Sequence, residues 1–226
     1  MGFAPGMKFP RLSVLLALIA GLALPASQFA VEPANLNTAK YEVYRYISTG
    51  EYARDLNAAA LKANKYLARR LSQPAKPGEK RAIVLDIDET TLSNLPHMMA
   101  QDFGYLPAVW QRWVASGQAK AIIPVQVGYD MAVHANIAVF FITARKESDR
   151  PGTERNLRET GYDTWTKIYF MSEDPQPVRV YKTGIRRQLV AEGYTIIANI
   201  GDQESDLAGG YAERTFKLPN PFYIVK

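Results

Sequence analysis

Residues 82–92, AIVLDIDETTL, constrain the fold of this chain more than any other stretch. A run rich in Ile, Val and Leu is typical of a strand that is buried on both faces of a parallel sheet. Such sheets bind ligands just beyond the carboxyl ends of their strands, where Asp86 and Asp88 stand. Two neighbouring carboxylates repel each other unless a cation or a shared proton relieves the repulsion. The segment therefore predicts an α/β fold with an acidic site, although a strand that runs into a solvated acidic turn is the alternative.

The first 26 residues have a different character from the rest of the chain. Lys8 and Arg11 precede an uncharged run over residues 12–24, which is shorter than the roughly 20 apolar residues that span a bilayer. This pattern is typical of a secretory signal peptide, so we expect residues 1–26 to be removed and the mature protein to be periplasmic or secreted. A retained membrane anchor is the alternative. The absence of cysteine excludes a lipid anchor on cysteine, disulfides and thiol chemistry.

Composition favours one ordinary globular domain over residues 27–226. Of all 226 residues, 47% are hydrophobic and 22% are charged, which is usual for a soluble enzyme or binding protein. The basic side chains are dispersed rather than gathered in a block, so we expect no nucleic-acid partner. Nothing in the sequence indicates an oligomeric state.

Helical and strand patterns alternate along the chain. Helical periodicity covers residues 38–71, where Gly50 divides two helices, and the segment 93–134 predicts a short helical insert rather than strands. Further strands are predicted at 137–143, 167–171, 194–200 and 215–218, and further helices at 150–161 and within 177–192. Strands that alternate with helices indicate a parallel sheet with right-handed crossovers.

Polar residues stand at or near the ends of successive predicted strands. In chain order they are Asp86, Asp88, Thr143, Ala144, Arg145, Lys182, Asp202 and Asp206. Four carboxylates without cysteine suit a hard cation such as Mg2+. Asp86 suits a nucleophile that attacks phosphorus, and Asp88 suits the general acid and base. Thr143 and Lys182 suit phosphate oxygens, although a helix N-cap and a surface lysine are their ordinary alternatives.

Four segments carry a family resemblance: LDIDETTL, FFITAR, YKTGIRRQL and NIGDQESDLAGG. They resemble the motifs of the haloacid-dehalogenase-like (HAD) phosphohydrolases. The insert and the ending RTFKLPNPFYIV narrow this to the class B/IIIB-type acid phosphatases, which include plant vegetative-storage-type and bacterial outer-membrane members. The resemblance covers roughly residues 36–226. It implies a Rossmann-like core with N-terminal helices and a small helical cap at about 93–134, and Mg2+-dependent hydrolysis of small phosphate monoesters.

The resemblance also implies a ligand set for the cation. Asp86 and Asp202 would ligate Mg2+ through their carboxylates, Asp88 through its backbone carbonyl, and Asp206 through a metal-bound water. A carboxyl at Asp88 favours ester hydrolysis over halide release, because an ester oxygen needs a proton when it leaves. Storage-type relatives that lack the nucleophile leave a non-catalytic phosphate- or nucleotide-binding or storage protein as the alternative. Phosphotransfer to an alcohol remains open as well.

Aromatic and basic residues near this site have two explanations each. Phe103, Tyr105, Trp110 and Trp113 are candidates for stacking on a nucleobase of a nucleoside monophosphate, or they form the core of the insert. Arg145 either binds phosphate or pairs with a nearby acid such as Glu147. We expect His97 and His134 to be structural or surface residues, because they lack metal-ligand spacing.

Overall fold

The computed structural model describes residues 1–2, 33–174 and 176–225. Nearly all of the predicted signal peptide lies outside these residues, so that expectation stays a prediction. The chain divides into the units Met1–Asn35 and Leu36–Lys226, and the sheet belongs to the second. None of the helices in the described part of the chain combines the length and the apolar character of a membrane span.

After two N-terminal helices and an insert that follows the first strand, the strands of the central sheet alternate with helices. The helices are α1 (Leu36–Ser48), α2 (Glu51–Ser72), α3 (Leu95–Ala100), α4 (Pro107–Ser116), α5 (Ile123–His134), α6 (Arg150–Glu159), α7 (Val178–Ala191) and α8 (Glu204–Leu207). The strands are β1 (Lys80–Leu85), β2 (Leu92–Ser93), β3 (Lys120–Ala121), β4 (Ala138–Lys146), β5 (Lys167–Met171), β6 (Tyr194–Gly201) and β7 (Thr215–Lys217). Gly50 adopts a left-handed conformation (φ 75°) between α1 and α2, as expected for the residue that divides them.

A five-stranded parallel sheet in the order β5-β4-β1-β6-β7 forms the centre of the fold. This confirms the predicted α/β class, the parallel sheet and the Rossmann-like core. Strand β1 lies in the middle, and Leu85 is in register with Phe141 of β4 and Ile200 of β6. The Asp86 N–H then donates to the Ile200 carbonyl (3.0 Å). This register brings the segments that follow the three central strands to one edge of the sheet.

The core occupies both faces of the sheet, and β1 supplies side chains to each. Ile83 and Leu85 pack with the α2 and α5 side of the core, whereas Ala82 and Val84 pack with α7. Burying one such large aliphatic side chain contributes about 1.5–3 kcal/mol. Burial on both faces explains why the segment is apolar at successive positions rather than at every second one.

The insert after β1 differs from the expectation in one respect. It contains α3, α4 and α5 as predicted, but β2 and β3 form a short antiparallel pair, with Leu92 opposite Ala121. The expectation of no strands there was wrong, because two-residue strands are too short to produce a periodic pattern. Helix α5 packs tightly on α2, where Gly128 approaches Asn64 so closely that an added Cβ would lie 2.6 Å from its side-chain oxygen.

Candidate active site

Three buried aspartates form a carboxylate triad at the carboxyl-terminal edge of the sheet. Asp86 follows β1, Asp202 follows β6 and Asp206 lies in α8, and one oxygen of each lies within 4.8 Å of the others. The Lys182 ammonium, supplied by α7, donates to Asp86 Oδ1 (2.5 Å) and to Asp206 Oδ1 (2.6 Å). Residues that are far apart in sequence therefore meet around one point, as the strand-end pattern predicts.

The electrostatic balance of this cluster is negative. Burial raises the pKa of Asp86, and the charges of Asp206 and Asp202 raise it further, whereas the charge of Lys182 opposes the rise. Burial acts to lower the pKa of Lys182, but the charges of Asp206 and Asp86 raise it above its usual value. One ammonium thus faces three carboxylates. This all-oxygen donor set fits a hard divalent cation such as Mg2+.

Asp202 is held by side chains from three different segments. Thr90 Oγ1 donates to its Oδ1 (3.1 Å), and the side-chain amides of Gln203 (2.7 Å) and Asn220 (2.6 Å) donate to its Oδ2. Burial and the neighbouring Asp206 raise the pKa of Asp202, while the hydrogen bonds from Asn220 and Gln203 lower it. None of these three partners was singled out from the sequence, because nothing in local spacing reveals them.

Asp206 is positioned through its backbone as well as its carboxylate. Its Oδ2 accepts the Gln203 N–H (2.8 Å), and its carbonyl accepts from the Arg186 guanidinium (2.5 Å) and the Asn199 amide (2.9 Å). The approach is so close at Gly201 that an added Cβ would lie 2.4 Å from Asp206 Cβ. Glycine before Asp202 is therefore a requirement of this packing.

Asp88 lies outside the carboxylate triad and pairs with Arg145. The Arg145 guanidinium donates to Asp88 Oδ1 through Nη2 (2.7 Å) and to Oδ2 through Nε (3.1 Å), and Asn94 Nδ2 donates to Oδ1 (2.8 Å). Arg145 was expected either to bind phosphate or to pair with an acid. The structure contains such an ion pair, and the acid is Asp88. The suggested partner Glu147 pairs with Arg150 instead.

The Thr143 hydroxyl is fully buried and accepts the Arg145 N–H (3.1 Å). Thr143 lies inside β4, which rules out the alternative that it is a helix N-cap. It does not line the cavity described below, whereas Ala144 and Arg145 do. Its contact with substrate therefore stays a prediction.

Glu89 is a buried acid that sequence analysis did not single out. It adopts a positive φ of 54° in the turn after Asp88 and accepts hydrogen bonds from the Asn94 N–H (2.5 Å) and the Tyr223 hydroxyl (3.1 Å). Burial, with the charge of Asp88 added, raises the pKa of Glu89 to about 8. It links the turn after β1 to the C-terminal end of the described chain.

A cavity of about 640 Å³ opens over these groups. Its polar side includes the carboxylate triad, Asp88, Arg145 and Lys182, and its aromatic side consists of His97, Phe103, Tyr105, Trp110, Phe222 and Tyr223. Trp113 is not one of the lining residues, and its Nε1–H donates to Asn94 Oδ1 (2.8 Å). His97, expected to be structural or at the surface, lines the cavity and stacks on Trp113 with ring centroids 5.2 Å apart.

The sheet order and the carboxylate triad define a Rossmann-like α/β protein with an oxygen-rich cation-type site beneath a large cavity. A family model described as HAD superfamily, subfamily IIIB (acid phosphatase) matches residues 13–226. The chain belongs to this family, as its motifs predict.

Related proteins agree with this assignment. The stem 28 kDa glycoprotein of Glycine max is 38% identical over 157 residues, which are 65% of this chain and 61% of the relative. Acid phosphatase 1 of Solanum lycopersicum is 35% identical over 148 residues, which are 63% of this chain and 58% of the relative. The chain thus spans about three fifths of these curated relatives. The solved class C acid phosphatase from Bacillus anthracis matches with a TM-score of 0.67 and 25% identity, over 83% of this chain and 84% of that one.

Proposed function

We propose that this protein is a Mg2+-dependent acid phosphatase that hydrolyses small phosphate monoesters through an aspartyl-phosphate. The observation that carries the proposal is the placement of Asp86. Its buried carboxylate follows the central strand, lies 2.5 Å from the Lys182 ammonium and lines a cavity of about 640 Å³. Membership of an acid phosphatase subfamily supports the same activity.

The proposed reaction has two steps that share the same residues. An Asp86 oxygen attacks phosphorus, the ester P–O bond breaks, and the leaving oxygen takes a proton from Asp88. Asp88 then accepts a proton from water, whose oxygen attacks phosphorus and releases phosphate from Asp86. Arg145 and Asn94 hold the Asp88 carboxyl by hydrogen bonds of 2.7 and 2.8 Å, which fixes its position for both transfers.

The carboxylates of Asp86 and Asp202 and the backbone carbonyl of Asp88 would hold the cation. Asp206 would contact it through a metal-bound water. Bound there, it would reduce the repulsion between the nucleophile and the substrate phosphate. Lys182 lines the same cavity and would supply positive charge to the phosphate oxygens. Ala144 and Arg145 line the cavity next to Thr143, so we also propose this segment as part of the phosphate-binding surface.

Nucleoside monophosphates are the proposed substrate class within the phosphate monoesters. The support is the aromatic side of the cavity, where Tyr105 is 69% exposed and has a face open for stacking. Phe103 already stacks on Phe222 and Trp110 lies against the Arg145 guanidinium, at 5.8 and 5.6 Å. Tyr105 is therefore the first aromatic residue that we assign to the leaving group. The charged and apolar pattern of residues 1–26 supports export to the periplasm or the medium.

Release of inorganic phosphate tests this proposal. The purified protein is incubated at about pH 5 to 7, a range set by carboxyl acid–base chemistry, with p-nitrophenyl phosphate, glycerol phosphate and nucleoside monophosphates. Each ester is tested with Mg2+ and with EDTA. The control is Asp86→Asn, which keeps the shape of the side chain and removes the nucleophilic carboxylate, with its fold checked by circular dichroism.

We expect Mg2+-dependent release by the wild type and no measurable release by the Asp86→Asn variant. Wild-type rates in that variant would show that Asp86 is not the nucleophile. Tight binding of phosphate esters without release under any metal condition would instead favour the binding or storage protein. A higher kcat/KM for nucleoside monophosphates than for glycerol phosphate is the result expected from stacking on Tyr105.

A further inference from the structure

The C-terminal segment, residues 219–225, reaches the cation-type site through Asn220. The Asn220 side chain acts in two directions: Nδ2 donates to Asp202 Oδ2 (2.6 Å), and Oδ1 accepts the Phe222 N–H (2.8 Å). The second bond, from a side chain to the N–H two residues later, is an Asx-turn. One residue therefore joins a carboxylate of the triad to the fold of the C-terminal segment.

Three other residues of the C-terminal segment fix it against the rest of the protein. The Phe222 ring packs on Tyr52 of α2 and on Phe103 of the insert, with centroids 5.1 and 5.8 Å apart. The Tyr223 hydroxyl donates to Glu89. The Val225 N–H donates to Gln203 Oε1 (3.1 Å). Asn220 thus projects from a segment that is fixed by the residues following it, and this lets a short side chain impose an orientation on its partner.

Asp202 needs such an orientation if it is to ligate a cation. A carboxylate that binds a hard cation must present a lone pair in one direction, and the groups that hydrogen-bond to the ligand set that direction. Gln203, the residue next in sequence, supplies the other donor to Oδ2, so Asn220 is the donor to that oxygen from a different segment. We propose that Asn220 is a positioning residue, which holds Asp202 for the cation and couples cation binding to the C-terminal segment.

This inference rests on the proposed function only in taking a divalent cation to bind at the carboxylate triad. A purely structural role for Asn220 is the competing explanation, because the Asx-turn alone would account for an asparagine there. The substitution Asn220→Ser distinguishes the positioning role from the purely structural role. The serine hydroxyl can accept the Phe222 N–H in an equivalent ST-turn, but the side chain is too short to donate to Asp202. Alanine removes both interactions.

Binding of Mg2+ alone, without substrate, is the measurement. Isothermal titration is carried out on metal-free wild type, Asn220→Ser, Asn220→Ala and the matched control Asn64→Ala. Asn64 is also half-buried, and its Nδ2 makes one bond of 2.8 Å to the Pro124 carbonyl, away from the triad. Thermal melts establish that each variant is folded. Phosphate release at limiting and at saturating Mg2+ follows as a second readout.

We expect Asn220→Ser and Asn220→Ala each to bind Mg2+ about 10- to 100-fold more weakly than wild type, the usual effect of losing a partner of a metal ligand. Asn64→Ala should stay within about twofold. Activity of the two Asn220 variants should fall at limiting Mg2+ and recover when Mg2+ is saturating. If Asn220→Ala does not fold, Asn220→Ser decides the question alone.

Two results would overturn the proposal. Wild-type Mg2+ affinity in Asn220→Ser would mean that the turn matters and the amide donor does not. A wild-type protein that binds no Mg2+ would remove the site to which Asn220 is assigned. A different failure belongs to the proposed function: a protein whose Mg2+ affinity depends on Asn220, and which nevertheless releases phosphate from no ester, leaves this inference intact.

Discussion

Among the residues that the structure describes, Lys182 is the one cationic side chain that forms ion pairs with carboxylates of the triad, so replacing it tests the electrostatics of the site. Its side chain is 3% exposed and its ammonium donates to both Asp86 and Asp206, at 2.5 and 2.6 Å. Lys182→Met keeps most of the volume of the side chain and removes the charge. The two carboxylates then remain buried without a charged partner, beside Asp202.

The expected loss in free energy of unfolding is large, because the substitution removes one partner of a buried ion pair and leaves the other partners charged. Such changes destabilise proteins by about 3–5 kcal/mol. For a domain of this size each kcal/mol lowers Tm by about 2–4 °C, so the metal-free variant should melt about 6–20 °C below wild type. Thermal unfolding followed by circular dichroism in EDTA measures this difference. Arg187→Met, at an exposed position of α7, is the matched control and should change the free energy of unfolding by no more than about 0.5 kcal/mol.

Adding Mg2+ should narrow the difference in Tm between wild type and Lys182→Met. A cation at the triad compensates the unpaired carboxylates, and it no longer competes with the Lys182 charge, so it should bind the variant more tightly and stabilise it more. A Tm within about 2 °C of wild type in EDTA, which corresponds to less than about 1 kcal/mol, would refute the reasoning. The Asp86 and Asp206 charges would then not depend on Lys182.

Two further predictions concern acids with different partners. Asp88→Asn should lower kcat by about 10²- to 10⁴-fold for glycerol phosphate and by less for p-nitrophenyl phosphate, whose leaving group needs no proton; equal losses on both esters would contradict the acid role. The Lys76 N–H, Arg81 and Arg70 lower the pKa of the Glu79 carboxyl from 4.5 to about 2. Its contribution to stability is therefore present above pH 4.5 and lost as the pH falls toward 2, so the difference in free energy of unfolding between wild type and Glu79→Gln should shrink over that range in urea titrations. A difference that stays constant between those pH values would show that Glu79 is not responsible.

Most of the core elements were predictable because they produce repeating local patterns. The strand at 167–171 has the predicted ends, and the helices on either side of Gly50 end within two residues of the expectation. The pair β2–β3 escaped prediction because two residues per strand carry no period. Strand β4 continues to Lys146, beyond the predicted end at residue 143, because its polar last residues do not resemble a buried strand.

The acidic residues of the candidate site were predictable for a related reason. Asp86 and Asp202 directly follow apolar strands, and parallel strands end at a common edge, so their proximity follows from chain order. Their partners were not predictable in the same way. The Asp88–Arg145 pair, the Glu89–Tyr223 contact and the Asn220 donor join segments whose separation in sequence carries no signal.

The sequence by itself determined the parallel sheet, the presence of polar groups at the ends of its strands and the family to which the chain belongs. Apolar runs can be satisfied only by burial, and burial on both faces requires helices on each side. Tertiary structure alone decided which groups touch. Lys182 meets two carboxylates because α7 packs at a particular height on the sheet, and Asn220 reaches Asp202 because Phe222 docks on Tyr52 and Phe103. Distances between such segments depend on how side chains pack in three dimensions, which no local pattern of residues encodes.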